Sequence, residues 1–429
     1  VLARKYPSEV TAQTGQGLLE AYRDVRARTE ALCGPLTAED QQLQSMAEAS
    51  PTKWHLAHTT WFFETFVLAK TRGYVPIEAG WHELFNSYYE TLGRPLPRNL
   101  RALLSRPSLE DVMRWRAHVD DAIRRLLETT PADLVLVRIL HLGIHHEWQH
   151  QELILTDIKH AFSHNPLRPF YRPDIAANGP PRDFNAVRTS MWSYSGGRAT
   201  VGHDGNGFSF DNERPRHDVL LRPFSLASRL VTCGEYLEFM NVDGYRRPEF
   251  WLADGWTAVM ELSWQAPLYW LSDGVHWWIY TLGGWRELDE SEPVCHVSYY
   301  EADAYARWCG ARLPTEHEWE LVAGTLEIEG NFVESRRLHP ASVSDQRQPV
   351  RQMFGDAWEW TASPYVPYPG FRAEPVPLGE YNGKFMCGHM VLRGGSCLSP
   401  RAHVRATYRN FFPPHTRWQM TGIRLARDV

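Results

Sequence analysis

His146 and His150 stand four residues apart in the run His141-Leu-Gly-Ile-His145-His146-Glu-Trp-Gln-His150-Gln-Glu152. At 3.6 residues per turn, a helical run puts them one turn apart, able to aim two imidazoles at one metal ion. Leu142, Gln149 and Leu153 share that face, so the pair looks inward through an apolar wall. The competing pair, His141 and His145, lies on a stripe with Arg138, Trp148 and Glu152 that reads as partly solvated. A third imidazole is offered by His58 in Trp54-His55-Leu-Ala-His58-Thr-Thr-Trp61. Three imidazoles from two packed helices leave coordination positions open, as a reactive metal requires and a structural one avoids.

Four helices must position these groups. Apolar spacing predicts the first over residues 15–33, stopped by Cys33-Gly34-Pro35. Ser50-Pro51 predicts an N-cap followed by proline at the first helical position, with the second helix running through His58 to about Lys70. Its aromatic content predicts that most of its surface is buried. Ser108-Leu-Glu-Asp111 resembles a capping box opening the third helix, to about Leu127, and Thr130-Pro131-Ala-Asp133 opens the fourth, to about Phe162. Residues 72–107 form a long irregular crossover of the kind that carries function. The expectation is a four-helix bundle over residues 1–163.

Prolines 166, 169, 173, 180 and 181 predict a linker over residues 164–189. Beyond it, short alternating strands, frequent Gly-Gly and Asp-Gly pairs, and helical stretches near 231–241, 298–310 and 315–324 predict an α+β domain over 190–429. A chain of 429 residues has room for two or three such cores. A net charge of −6 and the lack of any Lys/Arg block argue against nucleic acid as a partner. Six cysteines without CxxC spacing fit a reduced, cytoplasmic setting. No apolar run reaches membrane-spanning length and no secretory apolar core follows Val1, although residues upstream of Val1 would change the second point.

The second domain carries, in order, Phe210-Asp-Asn-Glu213-Arg-Pro215-Arg-His217, Val297-Ser-Tyr-Tyr-Glu301 through Arg312-Leu-Pro-Thr-Glu316-His-Glu-Trp319-Glu320, Gly355-Asp-Ala-Trp358-Glu-Trp360-Thr361 and Leu392-Arg-Gly-Gly-Ser396. Together these strings resemble the formylglycine-generating enzyme superfamily, with its C-type-lectin-like fold. Members of that family bind copper through two cysteines; the corresponding places here hold Ser399 and Val404 while Cys397 sits alone, so copper chemistry is not carried over. A DinB-like bundle followed by such a domain, with Leu56-Ala-His58, Phe85-Asn-Ser-Tyr88-Tyr89, His146-Glu-Trp-Gln149-His150 and Thr407-Tyr-Arg-Asn410-Phe411, is similar to the non-heme iron sulfoxide synthases of ergothioneine and ovothiol biosynthesis. Ovothiol-type members usually add a methyltransferase domain, and Gly422–Arg427 is a lectin-like tail, which favours the ergothioneine branch.

The resemblance implies Fe(II) on His58, His146 and His150, and the oxidative joining of cysteine or γ-glutamylcysteine to hercynine, trimethylated histidine, with oxygen placed on sulfur. Neutral imidazoles suit divalent iron. Gln149 is implied to hydrogen-bond the substrate imidazole. Asn410 and Phe411 are implied to receive the amino-acid end of hercynine, Phe411 by cation–π attraction. Tyr88 and Tyr89 are the candidate proton donors, with Tyr365 and Tyr368 in reserve. Arg98 and Arg101 fall where the family binds the carboxylates of the thiol. Phe412 stands where γ-glutamylcysteine users carry an acid, which tilts the reading toward free cysteine. The alternatives are the same chemistry on unmethylated histidine, as in ovothiol biosynthesis, and a zinc-dependent thiol transferase.

Overall fold

The computed structural model describes residues 15–78, 80–129, 133–177, 189–343, 349–375 and 378–429. They fall into two compact units: Val1–Tyr171 with Glu374–Tyr381, and Arg172–Ala373 with Asn382–Val429. The segment Glu374–Tyr381, far downstream in sequence, thus groups with the helical unit, which division at one linker does not anticipate. Of the expected linker 164–189, residues 178–188 lie outside the described residues.

The first unit is built on α1 (Gly15–Cys33), α2 (Thr52–Phe66), a short turn of helix α3 (Trp81–Leu84), α4 (Leu109–Thr129) and α5 (Leu134–Ser163). All 15 residues of α2 are buried, so this helix runs through the middle of the bundle, as its aromatic content predicts. The box that opens α4 is present: Asp111 N donates to Ser108 Oγ at 3.1 Å and Ser108 N to Asp111 Oδ2 at 3.0 Å. Asp133 caps α5 by accepting from Leu136 N at 2.8 Å, while Thr130–Ala132 lie outside the described residues.

Two expectations are corrected. Ser50 does not cap α2: Pro51 is the N-cap, and the Ser50 hydroxyl instead accepts from Arg101 Nη1 at 2.7 Å. A long-range ionic partner has outcompeted the local cap. The helix also ends at Phe66, with residues up to Lys70 continuing as a tighter 3₁₀ turn.

The bundle is pinned by charge as well as by apolar packing. Glu147, fully buried on α5, accepts from Arg116 Nη2 of α4 at 2.6 Å, from Arg26 Nη1 of α1 at 3.0 Å and from Thr29 Oγ1 at 2.7 Å. Burial pushes its carboxyl up, but the two guanidiniums outweigh that and hold it at about 2. The glutamate between His146 and Trp148 is therefore a structural keystone of the helix that carries the histidines.

The second unit opens with a short helix, α6 (Pro173–Ala177), then β1 (Met191–Tyr194), β2 (Gly197–Val201), β3 (His217–Leu221), β4 (Phe224–Ala227), α7 (Cys233–Asn241) and α8 (Ala253–Glu261). It continues through β5 (Trp270–Ser272), β6 (Trp277–Thr281), β7 (Gly284–Glu287), α9 (Tyr299–Trp308), α10 (Glu316–Ala323), β8 (Gly330–Asn331) and β9 (Phe354–Gly355). Last come β10 (Trp358–Pro364), β11 (Met390–Arg393), β12 (Asn410–Phe412), β13 (Thr421–Gly422) and β14 (Ala426–Asp428). The largest sheet has the order β12-β11-β10-β13, and β1-β4-β14 bring both ends of the unit into a second. Helices α7, α9 and α10 match the expected stretches; α8, and α6 inside the expected linker, were not anticipated. Capping boxes at Thr232, Ser298 and Thr315 start the three predicted helices.

Several recurring strings of this unit turn out to be internal scaffolding. Glu359 pairs with Arg424 at 2.8 Å and accepts from Trp319 Nε1 at 2.8 Å, and Trp360 Nε1 donates to Val297 O at 2.9 Å. Glu316 is held by Arg409 and Arg393, each at 2.8 Å. Ser399 Oγ accepts from Ser396 N at 3.0 Å and Val404 is buried, so the two residues that stand where the resembled family has its copper-binding cysteines are engaged in internal contacts here.

Candidate metal centre

The side chains of His58 on α2 and of His146 and His150 on α5 converge so that one nitrogen of each lies within 4.8 Å of the others, all three buried. His150 Nε2 stands 3.0 Å from His146 Nε2. Two imidazole nitrogens this close could be held by a single ion. His58 donates from Nδ1 to the Phe85 carbonyl at 2.6 Å, which leaves its Nε2 as a buried lone pair without a protein partner among the described residues. Burial holds His58 and His150 well below the ordinary imidazole range, and His146 at about 3. Neutral rings with bare nitrogens turned toward one point fit a divalent metal.

The rings are locked by their neighbours. Trp54 and Trp61 stack on the two sides of the His58 ring, at centroid distances of 4.6 and 5.5 Å, and Phe62 lies 4.8 Å from His146. His55, one turn before His58, sits 2.8 Å from His150 Nδ1 through its own Nδ1 and 3.1 Å from Asp157 Oδ2 through Nε2. Burial also lowers the pKa of His55, against the opposing pull of Asp157. The rival histidines are not alike: His141 is half-buried, whereas His145, expected to be partly solvated, is buried edge-on against Trp148 at 4.8 Å. The apolar surface of Trp148 accounts for that difference.

Beside the three histidines lies a tyrosine that the sequence reading did not select. Tyr381 is buried, packs edge-on to His146 at 5.6 Å, and donates its hydroxyl to the Gln149 carboxamide oxygen, 232 residues away in sequence. Its segment is tied to the bundle by Glu380, which accepts from Glu90 N at 3.1 Å and Thr91 Oγ1 at 2.5 Å, and by Glu374, which pairs with Arg138 at 2.6 Å. Nothing local in Glu380-Tyr381-Asn382 announces this placement. Tyr88 lies next in line, 6.0 Å from the Tyr381 ring and stacked on Tyr89 at 4.6 Å, with burial raising its pKa. Tyr89 is fully buried against Phe66 and Trp61.

Arg101 is buried, with its guanidinium 3.5 Å over the Trp54 ring and its Nη groups donating to Ser50 and Ser87. No carboxylate among the described residues pairs with it, and burial, with Arg98 adding, pulls it down to about 8. A buried cation with no direct ion pair among the described residues, and only the more distant charge of Asp157 opposing that fall, favours an anionic ligand. Arg98 is exposed.

In the second unit, Asn410, Phe411 and Phe412 form the half-buried edge strand β12. Phe411 stacks on Tyr365 at 4.0 Å, Phe412 packs edge-on to Trp418, and Asn410 Oδ1 accepts from Phe411 N at 2.9 Å. The reserve tyrosines are engaged within this unit: Tyr365 accepts from Asn212 Nδ2 at 2.9 Å, and Tyr368 accepts from Arg393 at 3.0 Å.

A buried cluster of three histidines able to hold a metal ion on a helical bundle, joined in one chain to an α+β domain rich in internal ion pairs, defines the class of two-domain proteins with a candidate metal site. Residues 21–154 match the DinB superfamily and residues 180–429 the sulfatase-modifying factor enzyme 1-like domain. The hercynine oxygenase of Mycolicibacterium thermoresistibile is 31% identical over 449 residues, covering 95% of this chain and 93% of its own. That of Mycolicibacterium smegmatis is 33% identical over 346 residues, with 73% and 76% covered. The ergothioneine biosynthesis protein 1 of Schizosaccharomyces pombe is 29% identical over 234 residues, 52% of this chain and 28% of that protein. The chain belongs to the hercynine oxygenase family. Among the described residues no helix is long and apolar enough to cross a membrane.

Proposed function

We propose that this chain is an Fe(II)- and O2-dependent sulfoxide synthase of ergothioneine biosynthesis, acting in the cytoplasm on small molecules. It joins the sulfur of cysteine or γ-glutamylcysteine to an imidazole carbon of hercynine. Thiol, hercynine and one O2 give the coupled sulfoxide and one water, so the S–H and C–H bonds are lost and O2 takes up all four electrons. The observation that supports this best is the convergence of His58, His146 and His150 on one point beside Tyr381 and Gln149. Iron held by these imidazoles would supply the redox chemistry with dioxygen.

The chain's own groups divide the remaining work. Gln149 orients the substrate imidazole through a carboxamide that adds no charge. The Tyr381 hydroxyl, held against Gln149, keeps a proton available beside His146, and Tyr88 and Tyr89 stand behind it as the alternatives. Arg101, with Arg98 at the loop surface, binds the carboxylate of the thiol substrate. Aromatic walls of Trp54, Trp61 and Phe62 exclude water around the imidazoles. Asn410 and Phe411 are assigned to the amino-acid end of hercynine on the strength of the family resemblance, and Phe412, standing where users of γ-glutamylcysteine carry an acid, favours free cysteine.

Oxygen uptake by the Fe(II)-loaded protein, with product masses, tests this reading. Uptake is expected with hercynine plus cysteine, yielding the coupled sulfoxide. A strong preference for histidine over hercynine moves the protein to ovothiol-type chemistry, and oxygen-independent turnover with zinc removes the oxidative mechanism.

A further inference from the structure

His55 and Asp157 lie outside the metal-binding set, yet their spacing ties them to it. His55 is three residues from His58 on α2, and Asp157 seven residues, two turns, beyond His150 on α5, so each shares a face with a histidine of the centre. Asp157 Oδ2 is fixed by accepting from Ser50 N at 2.9 Å, at the start of the helix that carries His55 and His58. The same oxygen faces His55 Nε2 at 3.1 Å, and a carboxylate only accepts, so Nε2 carries the ring proton. The other nitrogen of that ring, Nδ1, is then a lone pair, and the group 2.8 Å away, His150 Nδ1, must be the N–H. This leaves His150 Nε2 bare and turned toward His146 and His58.

We propose that His55 and Asp157 are positioning residues that hold His150 in the Nδ1–H tautomer, presenting its Nε2 to the metal before any metal arrives. The inference rests on the reading that His58, His146 and His150 hold a metal. It makes His55 the counterpart of the Phe85 carbonyl, which fixes His58 in the same way. Outer partners of this kind typically change metal affinity by about 10- to 100-fold when removed.

Equilibrium titration of the metal-free chain with Co(II), followed by its ligand-field absorption, tests the proposal in wild type, His55→Phe, His55→Asn and Asp157→Ala. Asparagine keeps an acceptor near the position of Nδ1 but leaves space; phenylalanine fills the space and removes the acceptor. The expected order of affinity is wild type, then His55→Asn, then His55→Phe about 10- to 100-fold weaker than wild type. A space-filling role for His55 predicts the reverse order of the two variants, and that order, or His55→Phe binding as tightly as wild type, overturns the inference. Should His55→Phe fail to fold, judged by its helical circular dichroism, Asp157→Ala carries the comparison, with the same weakening expected and an unchanged affinity overturning the proposal. A folded wild-type chain that takes up no Co(II) overturns the three-histidine centre itself, and the inference with it.

Discussion

Gly143 on α5 lies so close to Phe63 on α2 that a Cβ added to it would stand 2.4 Å from the ring's Cε1 and 2.8 Å from Cζ. The Phe63 ring of α2 thus packs directly on the α5 backbone one turn before His146, between the two helices that carry the three histidines. Gly143→Ala is expected to cost about 1–3 kcal/mol of stability by overpacking and to weaken metal binding by displacing His58 from the α5 pair. Denaturant unfolding and Co(II) titration read the two effects; a variant unchanged in both would show that the contact is slack.

Removing an imidazole should be more severe. His58→Ala, His146→Ala and His150→Ala are each expected to lose metal uptake and turnover, and added Fe(II) should not restore them. In wild type, chelation should abolish turnover and Fe(II), but not Zn(II), should bring it back. Restoration by zinc counts against the redox role.

Tyr381→Phe removes one hydroxyl from beside His146 and Gln149. Coupling is expected to slow by about 10²-fold or more, with little change in KM and a larger share of thiol oxidised without joining the imidazole. Product masses measure the ratio. If Tyr88→Phe or Tyr89→Phe produces that change while Tyr381→Phe does not, the proton donor is one of those two.

Arg101→Met should raise KM for cysteine by about 10- to 100-fold, the equivalent of a charge-assisted hydrogen bond of about 1.5–3 kcal/mol. A thiol lacking a carboxylate should be used equally well by both forms. Steady-state kinetics with the two thiols decides the point: equal losses with both would mean that Arg101 supports the Trp54 wall and not the substrate.

Glu147 sets an acid limit for the bundle. Its folded pKa, about 2, lies below the ordinary 4.5, so its contribution is fully present above pH 4.5 and is lost as pH falls toward 2. The difference corresponds to about 3 kcal/mol. Glu147→Gln should flatten the fall in stability between pH 4.5 and 2 and destabilise the neutral protein by about 3–5 kcal/mol, because Arg26 and Arg116 lose their partner. Unfolding curves of both forms across that range test the sign and the size.

What could be read from the amino-acid order was whatever repeats with the geometry of a single element. The period of a helix places His146 and His150 on one side, the Ser108-to-Asp111 box marks the start of α4, and the aromatic density of residues 54–66 predicts a buried helix. His58 was legible for the same reason, as the imidazole of a second helix with a compatible face. Only the tertiary structure decided that Tyr381 stands against Gln149, that Asp157 reaches His55, that Arg101 takes the Ser50 hydroxyl from its helix cap, and that His145 is covered by Trp148. Each of those contacts joins segments whose separation along the chain has no period, or depends on which neighbour wins a buried polar group. Local propensity fixes the direction of a side chain from its own element; what lies in that direction is settled by packing between elements.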